Sequence, residues 1–393
     1  MDRIAKDDTA RLHAIVNSRA ASRVNAETSF ANIGASYPTN RLMPVPHPAQ
    51  RANPTHHQGF IMQYQKFGNT GLNVSRLCLG TMTFGLQIEQ EDTAYAILDK
   101  AADAGVNFID TADVYPLGGG EQLAGRTEEI VGRWLKNKRD RFIVATKAVG
   151  KVGPSSWDQG ASRKHLLDAI DASLRRLGTD YVDLYQLHSD DRETPIDETL
   201  EALDIIVRSG KARYVGVSNF LAYRLALALG RADFLRTARF VSVQPRYNLL
   251  FRQIERELLP LAEEQRIAVI PYNPIAGGLL TGKHKHDVAP TEGRFSSQLR
   301  SAGSNYLQRY WHEREFATIE KLRGIAEEAG QPLVKLAVAW VAANPVITSA
   351  IIGASRPDQL TDTLAAIDLK LDPALKAKLD DATVEYRWGD AAR

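Results

Sequence analysis

Four polar residues stand at the ends of separate apolar runs. Asp110 and Tyr115 lie in Asn107-Phe-Ile-Asp-Thr-Ala-Asp-Val-Tyr115, Lys147 closes Phe142-Ile-Val-Ala-Thr-Lys147, and His188 closes Asp183-Leu-Tyr-Gln-Leu-His188. Gathered at one place, these residue types can give a proton to a carbonyl oxygen, which is the chemistry of a reductase. A phenol titrates near ~10 and is a weak acid at neutral pH. A cationic Lys147 beside Tyr115 would lower that value, and Asp110 would keep Lys147 charged and oriented. His188 can hydrogen-bond the carbonyl without carrying a charge. General acid catalysis of this kind is worth about 10²–10⁴-fold.

What must position these groups follows from the runs themselves. Each reads as a fully buried strand followed by a helical period. Eight strands are predicted at 77–80, 107–110, 142–147, 183–187, 212–216, 241–244, 267–272 and 347–352. Helices are predicted near 91–104, 127–138, 162–177, 197–209, 221–230, 254–265 and 314–343. Ser162 is placed to cap the third helix, Thr194-Pro195 starts the fourth, and Gly105, Gly178 and Gly210 stand at helix stops. Strands alternating with helices imply an α/β fold with a parallel sheet, here a (β/α)8 TIM barrel whose strand ends converge on one mouth. Gln63–Phe67 and Leu72–Val74, split by Gly68-Asn-Thr-Gly71, form an N-terminal hairpin that caps the barrel floor. The longest interruption, 275–312, is rich in Gly, Ser and His and is expected to be a mobile loop over the mouth.

The 393 residues are 44% hydrophobic with a net charge of +2, which carries no nucleic-acid or membrane-surface footprint. No apolar stretch approaches the roughly 20 residues a membrane span needs, and the first residues lack a secretory apolar segment. The one cysteine, Cys78 in Leu77-Cys-Leu-Gly80, excludes an internal disulfide, fits a reducing cytoplasm and reads as inert core. Residues 1–61 differ from the rest, with seven Lys or Arg against four acids, and Pro38–Gln58 has no apolar period. They read as a poorly structured N-terminal extension ahead of a barrel domain over 62–393.

From Met62 onward the chain resembles the aldo-keto reductase superfamily. The resemblance rests on six stretches in that family's order: Phe67-Gly-Asn-Thr-Gly-Leu-Asn-Val-Ser75, Phe108-Ile-Asp-Thr-Ala-Asp-Val-Tyr115, Thr127-Glu-Glu-Ile-Val-Gly132, Val215-Gly-Val-Ser-Asn-Phe220, Tyr272-Asn-Pro-Ile-Ala-Gly-Gly-Leu-Leu-Thr-Gly-Lys283 and Ile351-Ile-Gly-Ala-Ser-Arg-Pro-Asp-Gln-Leu360. It implies Tyr115 as proton donor, with Asp110, Lys147 and His188 completing a tetrad. It also implies a nicotinamide dinucleotide, in keeping with the lack of a Rossmann fingerprint: Gly118-Gly-Gly120 follows Tyr115 in a loop rather than linking a strand to a helix.

The same resemblance assigns Ser218, Asn219 and Gln244 to the nicotinamide carboxamide. Tyr272 ends the seventh strand with an aromatic face that can stack on the ring. In Asn273, Pro274, Gly277, Gly278, Leu279 and Gly282 it implies the segment beside the pyrophosphate. Gly353, Ser355 and Arg356 precede a helix expected near Asp358, where free amides and a guanidinium make an anion site suited to the 2′-phosphate of NADP(H). Gln359 and Asp362 would face the adenosine. Three departures stand out: Asn273 replaces a common Ser, Thr363 replaces a longer amide, and Pro116–Gly125 is longer than usual.

For the substrate, Met82, Phe84, Trp157 and Tyr247 are placed to line an apolar pocket for bulky or aromatic carbonyls. Asp113, Asp190 and Asp191 read as solvated loop acids, as do the charges of His284, Lys285 and His286; no metal is expected. Three functions remain open: NADPH-dependent reduction of an aldehyde or ketone, the reverse oxidation or epimerisation of a secondary alcohol or keto-sugar, and a cofactor-sensing module resembling potassium-channel β subunits. The oligomeric state is not legible.

Overall fold

The computed structural model describes residues 61–388 apart from 289, 291, 292 and 297–299. The extension expected over 1–61 lies outside those residues except for Ile61. Two short strands open the described chain, β1 (Tyr64–Lys66) and β2 (Asn73–Ser75), paired antiparallel with Gln65 opposite Val74. Then strands and helices alternate: β3 (Leu77–Gly80), α1 (Glu91–Asp103), β4 (Phe108–Asp110), α2 (Arg126–Leu135), β5 (Ile143–Ala148), α3 (Arg163–Leu177), β6 (Val182–Leu187), α4 (Ile196–Arg208), β7 (Ala212–Ser218), α5 (Ala222–Leu235), β8 (Phe240–Gln244), α6 (Leu258–Glu264) and β9 (Ala268–Val269). There follow α7 (Arg300–Tyr310), α8 (Glu313–Glu328), α9 (Leu333–Ala342), β10 (Ala350–Ile352), α10 (Leu360–Ala365) and α11 (Pro373–Ala382).

The eight longer-range strands pair in parallel in the order β10-β3-β4-β5-β6-β7-β8-β9. The two ends of that order meet: Val269 bridges Ile347, and the amides of Thr348 and Ile351 donate to the carbonyls of Val269 (2.8 Å) and Pro271 (2.9 Å). The sheet is therefore the expected (β/α)8 barrel, and the hairpin lies at its floor. Among the described residues no helix is long and apolar enough to cross a membrane.

Period-two alternation sorts the strands into two cores. Cys78, Phe108, Ile143, Ala145, Leu184, Ala268, Ile270 and Ile351 pack together inside the barrel, with Phe67 and Val74 of the hairpin closing the bottom. Phe67 meets Phe108 edge-on at 5.7 Å. Their sequence neighbours Ile109, Val144, Tyr185, Val269 and Ile352 belong instead to the core under the helices. Continuing each inward column by two residues gives the mouth: Asp110 above Phe108, Lys147 above Ala145, Tyr272 above Ile270. Cys78 is fully buried, and burial followed by the nearby Asp110 charge pushes its thiol well up, so it is inert core as expected.

Local signals hold at several boundaries. Ser162 Oγ accepts from the His165 amide at 3.3 Å, and Gly178 closes α3 in the left-handed conformation. Elsewhere the structure corrects the expectation. The single helix foreseen over 314–343 is two, α8 and α9, because Gly330 turns with φ +60° and Pro332 cannot continue a helix. The segment 275–312 is not an unanchored loop. It contains α7, and Phe295, Tyr306 and Tyr310 are buried, with Phe295 packed on Trp311 at 5.2 Å between centroids.

Candidate active site

Asp110, Lys147 and His188 come from the tops of three neighbouring strands, and Tyr115 from the loop after β4. The structure brings all four together. Lys147 Nζ donates to Asp110 Oδ2 at 2.6 Å and to the Thr111 carbonyl at 2.9 Å. The pair is sealed, with side-chain exposures of 0% and 4%. Lys147 Nζ lies 5.0 Å from the Tyr115 ring centre, and the Tyr115 and His188 rings meet nearly perpendicular at 5.6 Å.

Electrostatics set the protonation states. Burial pushes the His188 imidazole down, the Lys147 charge adds to this, and the result is about 3, so the ring is neutral. Burial also works against the Lys147 ammonium, but the Asp110 and Tyr115 partners outweigh it and the net value is raised. Tyr115 departs from the expectation. Lys147 pulls its hydroxyl down as foreseen, yet burial pushes up harder and Asp110 adds to it, so the net value is raised. Tyr115 keeps its proton until something takes it.

Asp110 also anchors the other side of the barrel. Its Oδ1 accepts from Gln244 Nε2 (2.9 Å) and Gln186 Nε2 (3.1 Å). Ser218 Oγ donates to the Gln244 carbonyl at 2.9 Å and accepts from Asn219 Nδ2 at 3.0 Å. Asn219 Nδ2 also donates to the His188 carbonyl (3.0 Å), and its Oδ1 accepts from the Tyr272 hydroxyl (2.8 Å). Asn219 sits at φ +58° and Asn273 at +60°, conformations that asparagine tolerates better than most side chains. That gives the Asn273 departure a backbone reason.

A cavity of about 180 Å³ opens at Asp110 and Tyr115, walled also by Gly80, Thr81, Met82, Gln244, Tyr272, Asn273, Pro274, Gly353 and Thr363, among others. Four further residues in its wall, Arg294, Asn305, Tyr306 and Arg309, come from the segment 275–312, whose sequence carries no signal for a wall residue. Arg294 Nη1 donates to Asn273 Oδ1 at 2.7 Å. Asn273 Nδ2 is buried with no protein partner. Gly277 (φ +71°) and Gly278 (φ +107°) give the following turn its shape, and Gly282 ends it, whereas the Leu279 side chain is fully buried.

The end of the last strand differs from expectation. Pro357–Gln359 is a 3-10 turn ahead of the six-residue α10, too short for a strong dipole. Gln359 Oε1 accepts from the Ser355 amide (2.8 Å) and hydroxyl (3.1 Å), so it closes the turn itself. Arg356 is largely exposed, 3.4 Å from Asp358, and Asp362 is exposed.

Of the four expected substrate-pocket residues, Met82 lines the cavity and three do not. Phe84 is fully buried, its carbonyl accepting from Thr127 Oγ1 (2.7 Å). Tyr247 is core, stacked on Trp340 at 5.0 Å with its hydroxyl on Glu255 (2.8 Å). Trp157 is exposed on a separate depression beside Asp190 and Asp191. The loop acids are also corrected. Asp190 pairs with Arg224 at 2.8 Å, and Asp191 accepts from the Ala161 amide (2.7 Å) and Thr194 hydroxyl (2.7 Å). Asp113 is buried with neither oxygen partnered by protein, and burial followed by the Glu128 charge raises its carboxyl well above the usual range.

Residues 76–383 match the Aldo/keto reductase family. A Bacillus subtilis (strain 168) protein named uncharacterized oxidoreductase YrpG is 39% identical, over 81% of this chain and 95% of its own. A probable voltage-gated potassium channel subunit beta of Arabidopsis thaliana is 37% identical over 78% and 92%, respectively. An L-glyceraldehyde 3-phosphate reductase of Escherichia coli (strain K12) is 34% identical over 78% and 88%. The chain belongs to the aldo/keto reductase family and is an oxidoreductase.

Proposed function

We propose that this protein reduces an aldehyde or ketone to an alcohol with NADP(H), and that Tyr115 delivers the proton. The observation that carries the reading is the sealed Lys147–Asp110 pair at 2.6 Å under the Tyr115 ring. With its own value raised, Tyr115 holds a proton ready for the carbonyl oxygen. Lys147 stabilises the phenolate left behind, Asp110 fixes Lys147, and neutral His188 orients the carbonyl by a hydrogen bond.

The residues present fit a nicotinamide dinucleotide. Tyr272 offers a flat face in the cavity wall, and Asn273, whose Nδ2 has no protein partner, stands beside it. Such a cofactor, when bound, supplies the hydride. Ser218, Asn219 and Gln244 hold its carboxamide end. Asn273, Pro274 and the turn through Gly277, Gly278, Leu279 and Gly282 lie along the pyrophosphate, with Leu279 contributing backbone only. Ser355 and Arg356 take the 2′-phosphate through the exposed guanidinium rather than a helix dipole, and Gln359 and Asp362 lie towards the adenosine. The single buried Cys78 suits work in a reducing cytoplasm.

The reductase reading is preferred over the sensor reading because relatives named as oxidoreductases match as fully as the channel-subunit relative does. The test is NADPH consumption across a carbonyl panel. Tyr115→Phe is expected to lower turnover by about 10²–10⁴-fold while NADPH still binds; turnover that survives the change would sink the assignment. Arg356→Ala is expected to weaken NADPH at least tenfold more than NADH, and equal losses would remove the 2′-phosphate role.

A further inference from the structure

Helix α5 is apolar on both sides. Leu225, Ala228, Leu229 and Ala232 are buried against the barrel. The opposite side carries Tyr223, Ala226, Leu227, Gly230 and Phe234, and all five are exposed. A surface helix ordinarily turns charged residues outward, and one that is apolar all round is ordinarily covered. Phe234 is 73% exposed, Tyr223 57%, and Leu221, just ahead of the helix, 54%. Of the eleven exposed large apolar residues among those described, these three and Leu227 stand on or beside this one helix, so the patch is concentrated rather than scattered.

At the start of the helix lies a concavity of about 540 Å³, walled by Leu221, Tyr223, Arg256 and Trp388, among others. Arg256 lies over the Trp388 ring at 5.1 Å, and among the described residues no carboxylate pairs with it. The outward positions 223, 227, 230 and 234 are spaced four, three and four apart. That spacing reads the same in both directions, so a two-fold axis between Leu227 and Gly230 lays the helix antiparallel on its own copy. Leu227 then faces Gly230 of the second copy, where a Cβ would meet nothing within 4 Å and the backbone lies open. Phe234 arrives at Tyr223 of the second copy, at the edge of the concavity. Asp233, exposed beside Phe234, comes to the same end as the cationic Arg256. An isologous interface makes each such match twice.

The area also suits a second copy. At about 150–250 Å² per aromatic side chain, the exposed parts of Tyr223, Phe234 and Trp388 come to about 300–450 Å². Leu221 and Leu227 add roughly 100 Å². A standard interface takes about 800 Å² from each partner, about 65% of it apolar in homodimers, which is about 500 Å². We propose that α5 and the concavity beside it form a two-fold interface with a second copy of this chain, in which Phe234 of each copy enters the concavity of the other.

Sedimentation of the full chain at about 10 µM, above the micromolar end of interfaces of this size, is expected to show twice the chain mass. Leu227→Glu/Phe234→Glu changes only outward residues of α5 and is expected to halve that mass while the far-UV spectrum stays that of the parent. A second variant covers the case in which the first fails to fold. Oxidised Leu227→Cys/Gly230→Cys is expected to run as a covalent dimer on a non-reducing gel, since the native Cys78 is buried. A monomeric parent chain would overturn the proposal, whether residues 1–60 cover the face or water does. So would an assembly that persists in a folded Leu227→Glu/Phe234→Glu variant, or a double-cysteine protein that sediments as a dimer and yields no covalent dimer.

Discussion

Replacing Asp110 with alanine tests whether the buried pair is what holds the site together. Lys147 is completely enclosed, and its Nζ has two acceptors, Asp110 Oδ2 at 2.6 Å and the Thr111 carbonyl at 2.9 Å. Asp110→Ala leaves an ammonium with one neutral acceptor and no counter-charge, a change that costs about 3–5 kcal/mol at buried pairs. Gln186 and Gln244 also lose the acceptor for their amide groups. Against a total stability of about 5–15 kcal/mol, this is a large fraction. At roughly 2 °C per kcal/mol for a domain of this size, the melting temperature is expected to fall by about 6–10 °C. Lys147→Met alone leaves a buried carboxylate that keeps two amide donors, and is also destabilising. The double variant Asp110→Ala/Lys147→Met removes both charges, so its loss is expected to be well below the sum of the single losses, with a coupling of about 3 kcal/mol or more. Thermal unfolding of the four proteins measures this cycle. Losses that simply add, or a single Asp110→Ala loss under about 1 kcal/mol, would refute the account of the pair as mutually dependent.

Two further expectations concern pH. The folded-state value of His188, about 3, lies below its ordinary 6.5. The stability tied to its neutral form is therefore fully present above pH 6.5 and is lost as pH falls towards 3. Activity is expected to show no inflection near 6.5, and a step there that disappears in His188→Asn would contradict the neutral ring. For Asp113 the sign is opposite: its raised value means that folding holds a proton the unfolded chain releases, so stability declines as pH rises above 3.8. Asp113→Asn should raise the melting temperature more at pH 8 than at pH 4, and an equal change at both would argue for an ionised Asp113.

The sequence reading succeeded where side-chain direction follows from strand parity. Phe108 and Asp110, Ala145 and Lys147, Ile270 and Tyr272 share an inward column, so an apolar run that ends in a polar residue already says where that residue points. It failed where direction is set by the path of a loop. Phe84 and Tyr247 follow strands closely, yet both turn into the core; Trp157 turns outward. Asp113 looked like a loop acid because its neighbours in sequence gave no hint that Glu128 of α2 would pack beside it. Residues 275–312 lie over the mouth as the sequence suggests, but the helix within them and its aromatic anchors, Phe295, Tyr306 and Trp311, are not legible because the anchors are spaced irregularly among polar residues. Four wall residues were missed with them.

The hydrogen bonds around the mouth form a continuous chain. Lys147 holds Asp110, Asp110 holds Gln244, the Gln244 backbone holds Ser218, Ser218 holds Asn219, and Asn219 holds both the His188 backbone and Tyr272. The proposed proton-delivery group and the proposed seat of the nicotinamide are thus built on one framework rather than two. A substitution such as Gln244→Leu would then be felt at Lys147 as well as in cofactor affinity. If the proposed roles hold, cofactor occupancy and turnover are mechanically linked through one run of side chains, and a variant that alters one without the other acts outside it.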